Sequence, residues 1–385
     1  RRIGPIPQAY SQDMALSRLQ IHHVRNLQHV DLQDLGQINV FSGPNGAGKT
    51  SILESIHLLG LARSFRGTSV KPLISHGQAE ATVFGVISEP ESSSIPLGVQ
   101  RSRDGEIHIK VGGSPVRRVT ELIEHLPLQV INADSFALLT GSPKARRQYI
   151  DWGVFHVEHR FFDAWRRYQR CIKQRNKLLR RGRIHRQELD VWTRDLVTSG
   201  TAIDDYRQAY FGQLVPRFKA LIDQLAPALA GLELRYRRGW DRQISFSDAL
   251  ENTLDADQEQ GYTHIGPQRA DVRALIDGHV AAETLSRGQQ KLVVCAMKLA
   301  QGQLMAEMGR GGCAYLVDDL PSELDEEHNR RVCELLGGMG AQVFITCVDK
   351  DEVSQVWPAE TDPLVFHVEQ GVVSRQIETQ SDQSQ

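Results

Sequence analysis

Hydrophobic and polar positions change period several times along the chain, and each change predicts a different kind of element. Residues 19–24 and 30–32 alternate about Arg25-Asn26, which predicts a strand pair around a turn. Residues 37–41 alternate again and stop at a glycine turn. After it, the stretch 50–61 places Ile52, Leu53, Ile56 and Leu59 on one helical face. Alternation returns over 81–88, 96–101 and 106–111 with Ser92-Ser93-Ser94 and Gly112-Gly113 between, the pattern of a β-meander, and 126–131 is one more apolar run. From Lys144 to about Leu225 the period becomes helical and glycines thin out. Residues 240–260 read as acidic and loop-like. Residues 272–276 then alternate, and a helix is predicted from the stretch 285–291 through Met305, with Leu292, Cys295, Ala296 and Leu299 inward. Strands are predicted at 313–320 and 343–347, with a helix opening at Asp325 that carries Arg330 and Arg331. A closing hairpin follows over 364–368 and 372–374, about Gln370-Gly371.

This order predicts an α/β fold in which a mixed sheet with flanking helices is interrupted by a mainly helical lobe. The expected divisions are a non-native or disordered leader at 1–13 with Met14 as the working start, a first part of the main lobe at 14–140, the helical lobe at 141–262, a second part of the main lobe at 263–374, and a disordered tail at 375–385. The 385 residues suit two domains, or one with a long insertion. Forty-five basic residues stand against 47 acidic ones, so attraction to a polyanion must come from local clustering. The five cysteines form no CxxC pair, which reads as a reduced, cytoplasmic protein, and no apolar run approaches a membrane span.

The sharpest chemical signal is GPNGAGKT, made of Gly43, Pro44, Asn45, Gly46, Ala47, Gly48, Lys49 and Thr50. Between a strand and a helix, this spacing lets backbone N–H groups and a helix start cradle phosphates, so it predicts an ATP site. Lys49 is expected on the β- and γ-phosphates and Thr50 on Mg²⁺, with Ser51 or Asn45 adding a polar contact. The alternative is a glycine turn that binds nothing, which would leave the lysine charge aimed at a ring of donors. Asp318 and Asp319 end an apolar strand, a costly arrangement unless a cation compensates them. Asp318 is therefore expected on the metal and Asp319 on the attacking water, making Lys49 and Asp319 the catalytic pair. The turn at 62–67 either approaches the nucleotide base or is a solvated loop.

Two further stretches stand out. Ser286 is a good N-cap, but capping does not explain Arg287, Gly288 and Gln289, and a helix start of this kind can grip a phosphate. Between Arg160 and Arg186 eleven basic residues face the single acid Asp163. Such a face is either solvated or meets a polyanion, and Arg175, Lys177, Arg180, Arg181 and Arg183 are the expected DNA contacts. The interleaved Phe161, Phe162, Trp165 and Tyr168 are expected mostly in the core. His156 and His159 share a helix face and read as surface histidines.

Taken together, a phosphate loop near the start, a helical insertion, then LSRGQQK and LVDDLPSELD resemble the ABC-type ATPases of the SMC class. Within that class the chain resembles the RecF family over 14–374, through RNL, GAGKTSILE, ARSFR, GSPKARRQYIDWG, KQRN, GPQRAD and LSRGQQK in order. The resemblance implies an ABC-type ATPase head with an inserted helical arm. It also implies ATP-dependent DNA binding by a head-to-tail homodimer, with RecR and RecO as partners on a repair route that loads RecA. Each ATP would lie between Lys49 and Thr50 of one chain and Ser286, Arg287, Gly288 and Gln289 of the other. Asp325 would take the D-loop position and Gln129 the glutamine-loop part. Two departures matter. Asp319 stands where the class usually has glutamate, which implies slow hydrolysis, and Thr346, Cys347 and Val348 stand where many relatives carry a phosphate-sensing histidine. Rival readings are a small-molecule kinase, which leaves LSRGQQK unexplained, a transporter ATPase, which leaves the basic arm unexplained, and a DNA tether that binds ATP without turnover.

Overall fold

The chain opens with an antiparallel strand pair, β1 (Ala15–Val24) and β2 (Leu27–Leu32), before β3 (Ile38–Ser42) runs into the glycine loop and α1 (Lys49–Leu61). These elements belong to a computed structural model that describes residues 15–88, 94–181, 186–309, 312–320, 324–354, 356–358 and 361–376. The chain divides into two compact units, Arg1–Ser135 with Gly311–Gln385, and Phe136–Arg310.

The first unit holds two sheets. The expected meander is present as β4 (Glu80–Ser88), β5 (Ile95–Ser102) and β6 (Ile107–Val111), extended by a short β7 (Ser114–Val116). With the opening pair these strands form an antiparallel sheet in the order β2-β1-β4-β5-β6-β7. After α2 (Val119–His125) comes β8 (Leu128–Ile131), which joins the second sheet. That sheet has the order β15-β14-β3-β13-β12-β8, where β12 is Ala314–Val317, β13 Val343–Cys347, β14 Leu364–Glu369 and β15 Val372–Arg375. Every pairing in it is parallel except β14 with β15. Strands β3, β12 and β13 are buried at every position, as central parallel strands covered on both faces must be. Helix α1 supplies cover on one side. It packs on β1, β4 and β5 and also on β12 and β13. That sandwiching explains why Ile52, Leu53, Ile56, Leu58 and Leu59 are all inaccessible to solvent.

The second unit is mainly helical. Its elements are α3 (Ala137–Thr140), α4 (Pro143–Val157), α5 (Arg160–Leu179) and α6 (Arg186–Leu225), then β9 (Leu232–Arg237), α7 (Phe246–Asn252), α8 (Leu254–Gln260), β10 (Asp271–Ile276), β11 (His279–Val280), α9 (Ala281–Thr284) and α10 (Arg287–Glu307). The three strands form one antiparallel sheet in the order β11-β10-β9. Two expectations change here. Residues 240–260, read as a loop, contain α7 and α8. Ser245 caps α7 by accepting a hydrogen bond from the Asp248 amide, and Asp248, Asp255 and Asp257 lie in first turns, where acids complement the helix dipole. Residues 263–310, expected with the main lobe, belong to the same compact unit as the arm. The reason is packing: α10 lies on α6 and α4, the Tyr149 hydroxyl donates to Met297 O at 2.7 Å, and Gln301 Nε2 donates to Tyr149 O at 2.8 Å. The expected leader, the serine link at 92–93 and most of the tail lie outside the described residues.

Candidate nucleotide-binding site

The phosphate loop is shaped by backbone that only glycine tolerates. Gly43 has φ 148°, and a Cβ there would stand 2.1 Å from Val368 O. Gly48 caps α1 at φ 119° with no side-chain cap, so the first turn keeps unpaired N–H donors and contains no acid to compete with an anion. Lys49 is 8% exposed and bends back over the loop, its Nζ donating to Gly43 O at 2.5 Å and Pro44 O at 3.0 Å. A buried ammonium held only by carbonyls is a cation awaiting a stronger acceptor.

Parallel pairing of β3, β13 and β12 brings three distant residues under the loop. Thr50 Oγ1 donates to Asp318 Oδ1 at 2.9 Å, and Thr346 Oγ1 donates to the same oxygen at 2.8 Å. Thr346 Oγ1 also accepts from the Asp319 amide at 2.9 Å. Asp319 takes a left-handed backbone, φ 57°, which turns the chain immediately after the strand. Burial raises the Asp318 carboxyl above its ordinary range, the Thr346 and Thr50 hydroxyls oppose that rise, and the neighbouring Asp319 charge adds to it. A hydroxyl and a buried carboxylate sharing a proton bond are a donor set that suits a hard, oxygen-preferring cation, so Thr50 and Asp318 fit Mg²⁺. The cavity above them has a volume of about 760 Å³, and Asn45, Lys49, Arg66 and Asp319 are among the residues lining it.

Further residues join the site with contacts that the sequence reading did not assign. Asn26, in the β1–β2 turn, donates from Nδ2 to Ala47 O at 3.1 Å and accepts from Ser51 Oγ at 3.0 Å. The Ser51 hydroxyl, expected to offer the nucleotide a contact, is therefore engaged by the hairpin. Arg25, at φ 55°, makes a two-pronged pair with the fully buried Glu54 of α1 at 2.8 and 2.7 Å. Ser64 also hydrogen-bonds Glu54, and Arg66 lies 4.0 Å from it and lines the cavity, while Arg63, Arg66 and Gly67 remain exposed, so the 62–67 turn both borders the cavity and faces solvent. Thr346 is another. It occupies the strand end where the sequence left the phosphate-sensing residue open.

Other expectations fall elsewhere. Gln129 is 4% exposed inside β8, paired with Tyr315 rather than with the strand end at Asp318, and it does not line the cavity. Ser286, Arg287, Gly288 and Gln289 lie in the second unit, where Ser286 and Gln289 form a reciprocal capping box at 3.3 and 2.9 Å while Ser286, Arg287 and Gly288 are exposed. Asp325 caps the helix Glu326–Gly338 by accepting from the His328 amide at 3.0 Å. Among the expected DNA contacts Arg175 is corrected: it is 1% exposed and bonds Asp257 at 2.7 Å and Thr263 at 2.6 Å. It sits on the buried stripe of α5 with Phe161, Tyr168, Cys171 and Leu178. Lys177, Arg180 and Arg181 are exposed, without an ion pair among the described residues, and Arg183 lies outside them. Of the four interleaved aromatics, Phe161 and Tyr168 are buried, Phe162 is half-buried and Trp165 is 37% exposed. His156 is buried against Trp152 and Phe155 rather than at the surface, and burial lowers its pKa to about 4.

Residues 15–374 match the family model described as the RecF/RecN/SMC N terminal domain. The chain is 50% identical over 362 residues to the DNA replication and repair protein RecF of Stutzerimonas stutzeri, covering 94% of this chain and 98% of that one. The chain belongs to the RecF family. The fold agrees. A solved RecF structure, titled as RecF-ATP of the RecFOR pathway, superposes with a TM-score of 0.83 at 23% identity over 94% of this chain and 99% of that one. The Smc head domain of Pyrococcus furiosus superposes with a TM-score of 0.58 at 16% identity, over 94% of this chain and 96% of that one. The chain therefore shares the RecF and SMC ATPase-head fold, with mixed sheets and helices. Among the described residues no helix is long and apolar enough to cross a membrane.

Proposed function

We propose that the chain is an ATP-dependent DNA-binding recombination mediator in which ATP acts as a clamp. The observation that carries this reading is the 2.9 Å bond from Thr50 to Asp318 beneath a phosphate loop whose lysine is already aimed inward. ATP would rest on the loop amides and Lys49, with Thr50 and Asp318 holding Mg²⁺, which when bound neutralises phosphate charge. Asp319 orients and polarises the attacking water. Its side chain is a methylene shorter than the glutamate usual in the class, so turnover is slow. DNA is proposed to stimulate it.

A second copy of the chain would complete the site by presenting Ser286, Arg287, Gly288 and Gln289 to the γ-phosphate, and Asp325 would take the D-loop position. ATP would then favour a head-to-tail homodimer and hydrolysis would release it. The exposed Lys177, Arg180 and Arg181 would contact the backbone of single-stranded, gapped or junction DNA without reading sequence. RecR and RecO are the partners, and help in RecA loading, replication restart and SOS induction in the cytoplasm is the biological role. Membership of the RecF family supports this assignment.

A DNA-stimulated ATPase activity abolished in Lys49→Met tests the proposal. Asp319 also favours a second reading, a DNA tether that binds ATP without significant turnover. Tight ATP binding with no phosphate release above that of Lys49→Met would establish the tether and overturn the enzyme.

A further inference from the structure

The opening hairpin carries a pair of imidazoles that the nucleotide site does not use. His22 in β1 and His29 in β2 stand directly opposite each other in the strand register. Their ring centroids are 4.7 Å apart and their Nδ1 atoms 3.3 Å apart. His29 is exposed and His22 half-buried, so the pair is open to solvent.

We propose that His22 and His29 form a chelating site for a divalent transition-metal ion, with Zn²⁺ the best geometric match. Zinc binds imidazole nitrogen at about 2.0–2.1 Å, so two nitrogens separated by 3.3 Å subtend an angle of about 107° at the ion, close to tetrahedral. A square-planar ion with similar bonds needs its nitrogens about 2.9 Å apart, and would have to draw the strands together. Both imidazoles bind in the neutral form, each presenting Nδ1 to the ion and keeping its proton on Nε2. Among the described residues no third histidine, cysteine or carboxylate joins the pair, so water takes the remaining positions.

The location gives the site a consequence. The next pair toward the turn is Val24 with Leu27, and the turn itself presents Asn26 to Ala47 and Ser51 of the phosphate loop. A metal tie across the stem braces the turn that holds the loop. Metal binding should therefore stabilise the folded chain, by an amount that grows with the logarithm of the free ion once it exceeds the dissociation constant.

The test is calorimetric titration of the nucleotide-free, full chain with zinc chloride, compared with His22→Ala, His29→Ala, the double variant, His23→Ala and Asp318→Asn. A chelate predicts that either single variant weakens binding by at least about tenfold, equivalent to about 1.4 kcal/mol, and that the double variant loses less than the sum of the two single losses. His23→Ala and Asp318→Asn should keep the site, which separates it from the neighbouring imidazole and from the carboxylates under the phosphate loop. Because His29 is exposed, its variant decides the outcome even if His22→Ala folds poorly. Unchanged binding in His29→Ala, or partial losses that add in the double variant, would overturn the proposal in favour of an adventitious ion on separate histidines.

Discussion

The hydroxyl of Thr50 and the hydroxyl of Thr346 donate to the same oxygen of Asp318, at 2.9 and 2.8 Å, one from the start of α1 and the other from strand β13. The carboxyl they share is raised by burial, so its ionised form is a cost to the folded chain until a cation arrives. The sign follows. A carboxyl with a raised folded pKa withholds stability above its ordinary range, and a neutral isostere removes that cost. Asp318→Asn should therefore melt no lower than the parent without ligand, yet lose the gain in melting temperature that ATP with Mg²⁺ gives. A lower melting temperature in the free protein would contradict the assignment.

Arg25 and Glu54 lock the first hairpin to α1 beside the cavity. Replacing Arg25 by alanine leaves the fully buried Glu54 with Ser64 and the more distant Arg66, and should cost about 3 kcal/mol in chemical denaturation. Glu54→Gln should cost less, because a neutral amide needs no counter-charge.

The basic helix separates into two kinds of arginine, which predicts two phenotypes. Arg175→Ala leaves the buried Asp257 with His264 in place of its arginine partner and should destabilise the chain by about 3 kcal/mol. Alanine at Lys177, Arg180 and Arg181 should leave stability nearly unchanged while lowering the salt dependence of DNA binding by up to about 0.9 per contact. An unchanged salt slope would return those residues to solvent.

His156 supplies a pH dependence. Its pKa is about 4 in the folded chain against 6.5 ordinarily, and its Nε2 is buried with no hydrogen-bond partner. Between those values the unfolded chain binds the extra proton, so stability should fall by about 1.4 kcal/mol per unit as pH drops from 6.5 toward 4. His156→Phe should flatten that slope, as read by denaturation at pH 5 and 7.

These residues also show which relationships a linear sequence makes legible. The phosphate loop is local, and eight consecutive residues encode its turn, its helix start and its lysine. Asp318 could be read because two acids after an apolar run need compensation. Thr346 and Asn26 fall at motif positions, but nothing beside them in the chain shows what they touch. Thr346 meets Asp318 only through the pairing of β12 with β13, and Asn26 meets the loop only through a turn at the far end of a hairpin. Gln129 was misplaced for the same reason, since strand register decided its neighbour. Arg175 was different. Its spacing from Phe161 and Tyr168 puts it on the buried stripe, and that periodicity was present in the sequence beneath the stronger impression of charge.

The measurement that tests the central claim most directly is sedimentation of the parent chain and of Arg287→Ala, each with and without ATP and Mg²⁺. The account predicts that nucleotide converts the parent to a dimer, while Arg287→Ala still binds ATP but remains a monomer. If neither protein changes its association state with nucleotide, the segment Ser286–Gln289 is a capped helix start and nothing more, and the shared-site clamp is contradicted.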